Sequence, residues 1–214
     1  MNSLSDASMI LLILSDLALL GMGVFGAHIS IVAVQGFVLG AFALLSQYEH
    51  LTPRVGAIAL ITVAVKGVLF PYLLRRAIKD TEVVRESKPY VGYNTSVMGG
   101  LVVVTVSLWL GVRLPFAAAV DMPLVVASSI VTMFTGLMLT VTRRKTLTQC
   151  IGYIVFENGI YIFGMAVAGE IPLLVELGLL LDACVAVLVM GIAIYRISRE
   201  FDHMDADKLR TLRG

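Results

Sequence analysis

Charged residues make up only 14% of this 214-residue chain, where a soluble domain carries about 25%. A domain of this length leaves much of its surface in water, so a core cannot absorb a chain that is 58% hydrophobic with a mean hydropathy of +0.93. An ordinary soluble enzyme and a disordered segment are therefore excluded. A surplus of positive charge is missing too. The formal net charge of +1 offers no electrostatic footprint for nucleic acid. Cysteine is scarce. Cys150 and Cys184 both sit in apolar runs, which speaks against a disulfide framework, a zinc site or an iron–sulfur cluster. No cofactor is expected. Long polar stretches are few as well, the longest being 75–95, with KDTEVVRESK and then Pro89-Tyr90-Val91-Gly92. That segment reads as a solvated connector, with a docking surface for a cytoplasmic partner as the alternative.

Hydrophobic runs remain. They cover roughly 8–27, 29–47, 56–74, 96–112, 122–142, 147–168 and 172–195, each near the ~20 residues that span a bilayer core. None alternates with period two, which excludes a strand barrel. The expected fold is an all-α polytopic membrane bundle of seven transmembrane helices. The first run holds Asp16, has no basic residue before it and continues into the second. It is expected to stay in the mature chain rather than act as a cleaved leader.

Lysines and arginines orient the spans. Arg54 and Arg113 are the basic residues on the side of the N-terminus and loops 2–3, 4–5 and 6–7. The opposite side carries Arg75, Arg76, Lys79, Arg85 and Lys88, then Arg143, Arg144 and Lys145, and the basic residues of the tail from Arg196 onward. An N-terminus outside and a cytoplasmic C-terminus in the cell (inner) membrane fit this bias. Three regions follow: 1–112 with four helices, 113–196 with three, and a cytoplasmic tail over 197–214.

Some motifs carry less than they spell. Gly21-Met22-Gly23-Val24-Phe25-Gly26 matches a dinucleotide-binding pattern, but that pattern needs an aqueous strand–turn–helix. At the end of a membrane helix it reads as small residues for close helix contact. Gly36 and Gly40 read as a packing motif. Asn94-Thr95-Ser96 is a glycosylation triplet on the cytoplasmic side, where it has no use. His28, His50 and His203 fall near run ends or in loops, as ordinary interfacial residues do.

The informative residues are charges inside the runs: Asp16 in the first, Lys66 in the third, Glu157 in the sixth and Asp182 in the seventh, with Glu176 farther out in the seventh. The first four lie roughly eight to ten residues from the nearest run end, and at ~1.5 Å per residue that places them near the midplane. An ionised group there costs about 2.5–3.5 kcal/mol if it faces lipid, so four would cost on the order of 10 kcal/mol. They must face protein or water. One reading is a structural ion pair, Lys66 with Asp182 or Glu157, that fixes helix register. The other is a row of protonatable groups lying across the membrane plane, since burial penalises charged forms and favours proton exchange near neutrality. Four such groups are more than register needs. Pro71, five residues after Lys66, removes a helix hydrogen bond and lets the helix deform beside the lysine.

The stretch FTGLMLTVTRRKTLTQCIGYIVFENGIYIFGMAVAG, from Phe134 to Gly169, followed by LLLDACVAVLVMGIAIYR from Leu179, resembles the three-helix NuoK-type subunit of respiratory complex I. In that family one helix ends in a basic pair, here Arg143 and Arg144. The next begins with a glycine, here Gly152, and carries a midplane acid, here Glu157 beside Asn158. The third carries a second acid, here Asp182. The family acid follows the glycine by two residues, where this chain has Ile154. Glu157 is thus displaced by three residues, nearly one turn. The second acid is Asp, which has a shorter reach.

With the N-terminal helices added, the chain resembles the HyfE-type subunit of group 4 membrane NiFe hydrogenases of the formate hydrogenlyase type, although the specific motifs begin only at Phe134. Spans 1–3 echo the same unit, with Gly36 against Gly152 and Lys66 near the level of Asp182, as a degenerate repeat would. The resemblance implies a non-redox subunit in a lateral proton or ion path, with Glu157 and Asp182 as carriers, Lys66 tuning them, and Asp16 and Glu176 as further members. It implies as partners antiporter-like and NuoH-like membrane subunits and the hydrogenase large and small subunits, besides the lipid bilayer. No nucleic acid is implied. An Mrp-type cation/proton antiporter subunit and a plain membrane scaffold are the competing readings.

Overall fold

The computed structural model describes residues 2–46, 53–79, 89–114 and 123–167, together with Gly178. Every regular element among them is helical: α1 (Asn2–Gly21), α2 (Phe25–Ser46), α3 (Pro53–Thr62), a π-helical segment (Val63–Leu69), α4 (Phe70–Lys79), α5 (Tyr93–Arg113), α6 (Pro123–Thr142) and α7 (Thr146–Val167). The π segment joins α3 to α4 without interruption, so these elements make six helical paths. Five of the paths, Ser3–Gly21, Phe25–Leu45, Val55–Arg76, Tyr93–Arg113 and Pro123–Thr142, are long and apolar enough to cross a membrane. The sixth, α7, is 22 residues long and contains Gln149, Glu157 and Asn158. The protein is thus a multi-pass helical membrane protein. The seventh expected span, with Glu176 and Asp182, lies outside the described residues except for Gly178.

The first boundary differs from the hydropathy reading. Gly21-Met22-Gly23 is not the end of one long helix but the break between two, with α1 closing at Gly21 and α2 opening at Phe25. Glycine-rich sequence released the helix, while the apolar Met22, Val24 and Phe25 hid the break from a hydropathy count. Prolines fall where their missing N–H does least harm. Pro53 and Pro123 open α3 and α6.

Pro71 lies one residue beyond the π segment, after Phe70. A proline cannot donate to the preceding turn and its ring crowds that turn's carbonyl. The wider turn ahead of it, in which Phe70 N–H bonds to the Val65 carbonyl, accommodates both.

The tightest pairing is that of α6 with α7. A side chain at Gly136 or Gly152 would strike the backbone of the opposite helix, including the Gly152 carbonyl oxygen 2.5 Å from a Cβ on Gly136. Absence of side chains there brings the backbones together, as in small-residue contacts generally. Gly36 does the same for α2, where a Cβ would sit 2.5 Å from the Gly67 nitrogen of the π segment. By contrast α5 buries only Ser96, Gly100, Ser107 and Gly111. Its outward face shows Met98, Val102, Trp109 and Val112, each at least 60% exposed, as suits lipid or another membrane subunit.

Two apolar clusters fill the interior. One gathers Leu19, Leu20, Ile29, Val32, Phe70, Leu74, Leu139, Ile151, Ile154 and Val155. The other gathers Met9, Leu12, Leu39, Phe42, Val125, Val126, Tyr161, Ile162 and Ala166. Each draws on both the 1–112 and the 113–196 region. On α1, α2, α6 and α7 the two clusters occupy opposite halves of the helix, and a short interval between them is left to other residues.

Candidate functional site

That interval is polar. It holds Asp16 on α1, Gln35 on α2, Thr132 on α6 and Glu157 with Asn158 on α7, while Lys66 comes from the π segment. All six are buried. They form one continuous hydrogen-bonded row. Lys66 Nζ donates to Glu157 Oε1 at 2.6 Å and to Asn158 Oδ1 at 3.1 Å. Asn158 Nδ2 donates to Gln35 Oε1 at 3.3 Å. Gln35 Nε2 donates to Asp16 Oδ1 at 2.9 Å and to Ser15 Oγ at 2.8 Å. Thr132 Oγ1 lies 2.7 Å from Asp16 Oδ2 and 2.8 Å from the Ser128 carbonyl oxygen. The Tyr161 ring sits 5.2 Å from Lys66 Nζ and adds a cation–π contact.

Local structure explains how the lysine reaches this row. Gly36 lets α2 lie directly on the π segment beside Lys66. The π turn itself re-registers the side chains that follow it, a feature that recurs at functional sites. Of the two ion pairs weighed from the sequence, the one with Glu157 is present. Ile154, where the resemblance puts the family acid, belongs to an apolar cluster instead. Asp182 and Glu176 lie outside the described residues, so their relation to the row is not described. Gly178, between them in sequence, approaches the site: a Cβ there would lie 3.8 Å from Glu157 Oε1.

Asp16 is not at the middle of its helix. It lies five residues before the end of α1 at Gly21, yet pairs with Gln35, ten residues into α2. At ~1.5 Å per residue, α1 stops about 7.5 Å short of the start of α2. Its last carbonyls are therefore buried and need donors. His28 meets the Leu19 carbonyl through Nε2 at 3.1 Å, and Arg143 Nη2 donates to the Leu20 carbonyl at 2.8 Å.

Both His28 and Arg143 are fully buried, which corrects the interfacial reading of His28. Arg143 also stacks over Tyr93, and Arg144 over Tyr90, with 4.5 and 4.4 Å to the ring centres. The ends of α1 and α6 and the starts of α2 and α5 thus meet at one end of the bundle.

Gln35 and Thr132 were missed from the sequence, and Asn158 was noticed only through the resemblance. Gln35 left a signal: it is the one amide within the 22 residues of α2. Thr132 left none, since threonine is common in membrane helices and usually bonds its own backbone.

Against known proteins, the chain is 29% identical over 198 residues to the uncharacterized protein Rv0085 of Mycobacterium tuberculosis, covering 87% of this chain and 86% of that one. It is 35% identical over 103 residues to Hydrogenase-4 component E of Escherichia coli K12, and equally to that of Shigella flexneri. Those matches cover 48% of this chain, and the chain spans about half, 47%, of the length of each hydrogenase component. No family model matches the chain. No solved structure matches it either.

Proposed function

We propose that this chain is a non-redox membrane subunit of a hydrogenase complex related to respiratory complex I, and that its buried polar row is a segment of a lateral proton path. The observation that carries the reading is the continuous row Glu157–Lys66–Asn158–Gln35–Asp16–Thr132, which runs across the helices between two apolar clusters. A row closed on both sides by apolar packing favours movement within the membrane plane over a route through this chain from face to face. That supports a bridge between larger translocating subunits. The stretch similar to Hydrogenase-4 component E supports the parent complex, and the NuoK-like motif from Phe134 onward supports the relation to complex I. Asp182 and Glu176 belong to the same path in this reading.

The orientation proposed is N-terminus outside and C-terminus cytoplasmic across seven spans. Its support is the basic bias of the loops and the way Arg143 and Arg144 join the helix ends on the side assigned to the cytoplasm.

Two measurements test this. A tagged chain purified from its native membrane should bring with it NiFe hydrogenase large and small subunits. Recovery of antiporter subunits alone would replace the reading with the Mrp-type one. Lys66→Met/Glu157→Gln, which removes both members of the buried pair together, should leave assembly intact and lower proton translocation per hydrogen evolved, because neither replacement can ionise. Normal translocation in that variant would make Glu157 structural.

A further inference from the structure

The relay proposed above needs Asn158 and Gln35 only as neutral links, but their orientation says more. A lysine ammonium donates and cannot accept. The amide atom that Asn158 turns to Lys66 must therefore be its oxygen, at 3.1 Å. Its Nδ2 then faces Gln35, which has to answer with Oε1. Gln35 is left to present Nε2 to Asp16 and Ser15. The polarity of both amides is dictated from one end, by the charge on Lys66.

At the other end the Thr132 hydroxyl has one proton and two acceptors within reach, Asp16 Oδ2 and the Ser128 carbonyl. An ionised Asp16 accepts from Thr132. A protonated Asp16 donates from Oδ2 to Thr132 Oγ1, and Thr132 turns its proton to Ser128. Both states of Asp16 find partners without moving a heavy atom.

We propose that Asn158 and Gln35 are positioning residues forming a polarised link through which the charge state of Lys66 governs proton binding at Asp16. With the ammonium present, Gln35 holds an N–H on Asp16, which suits the carboxylate. When Lys66 passes a proton to Glu157, the Nζ–H bond breaks, a carboxyl O–H forms on Oε1, and the neutral amine gains a lone pair. It can then accept from Asn158 Nδ2, and both amides can turn over together. Gln35 Oε1 then faces Asp16, and Ser15 can turn its hydroxyl from the Leu12 carbonyl to that oxygen. Asp16 takes a proton from the adjoining subunit's stretch of the lateral path and donates it to Oε1.

On α1, on the helices packed against it and just past the end of α6, the other charged or titratable groups among the described residues are Asp6, His28, Tyr93, Arg113 and Arg143. The carboxyl's own partners are Gln35 and Thr132, while His28 and Arg143 serve the Leu19 and Leu20 carbonyls.

The test is a double-mutant cycle read by infrared titration of the purified complex, with the Asp16 carboxyl band identified by its loss in Asp16→Asn. The charges are removed together, as Lys66→Met/Glu157→Gln, so that neither member of the pair is left without the other and net charge is unchanged. That change should shift the Asp16 titration midpoint by about one pH unit, and in a Gln35→Met background by less than about a third of that. An equal shift in both backgrounds would mean coupling through space and would overturn the link, as would no shift in either. If Gln35→Met does not assemble, Asn158→Leu cuts the same link. The readout is an equilibrium titration, not turnover. A Gln35-dependent shift in a complex that still translocates protons with Asp16→Asn would uphold the link and defeat the relay.

Discussion

At one end of the buried row a lysine and a glutamate face each other at 2.6 Å, while at the other a lone aspartate is held by an amide and a hydroxyl. The two arrangements answer the cost of burial differently. In the ion pair each charge is the other's compensation, so removing one member is far worse than removing both. Asp16 depends on neutral groups that can serve either of its protonation states, so it can change charge without stranding a partner. The pair therefore sets the geometry and polarity of the row. In the proposed path, Asp16 is where a proton is stored.

The largest expected effect breaks the pair. Lys66→Met should destabilise the folded subunit by about 3–5 kcal/mol, because it removes the ammonium that faces the buried Glu157 carboxylate at 2.6 Å. Adding Glu157→Gln should recover most of that loss, to within about 1 kcal/mol of the native subunit. Thermal unfolding of the purified complex measures both, and a double variant as unstable as the single one would mean the pair is not the source of the cost.

Next comes Arg143→Met, which removes a donor to the buried Leu20 carbonyl at the end of α1. A hydrogen bond from a charged group is worth about 1.5–3 kcal/mol, and the same unfolding assay reads it. Because this cation lies outside the row, the loss should come without a change in proton coupling.

Asp16→Asn should have the smallest effect on stability, about 1 kcal/mol or less, since Asn still accepts from Gln35 or Thr132. It should nevertheless abolish proton uptake by the row, measured with a pH indicator during single turnover. A variant that is strongly destabilised, or that takes up protons normally, would erase the contrast between the two ends.

The sequence announced this layer unevenly. Asp16, Lys66 and Glu157 stood out because a charge in an apolar run has so few tolerable explanations. The neutral residues that connect them did not, because a threonine or a glutamine inside a membrane helix is affordable on its own. Only the packing shows that Gln35 spans from Asp16 to Asn158.

The π segment was hinted at by Pro71 but not located, since its register depends on how α2 lies against it at Gly36. The break at Gly21–Val24 was hidden by apolar composition. His28 and Arg143 read as ordinary end-of-helix residues because nothing in one dimension shows that α1 stops short of its neighbours. The acids of the seventh run, Glu176 and Asp182, lie outside the described residues.

The central claim is that the row moves protons and does not merely fasten helices. Hydrogen evolution and proton translocation by a complex carrying Lys66→Met/Glu157→Gln test it most directly. The two charges of the pair are then gone together, so neither is left without the other. The account requires a complex that assembles and evolves hydrogen but has lost its proton translocation. Full translocation in that variant would show a matched pair that only holds the bundle together, and would contradict the account.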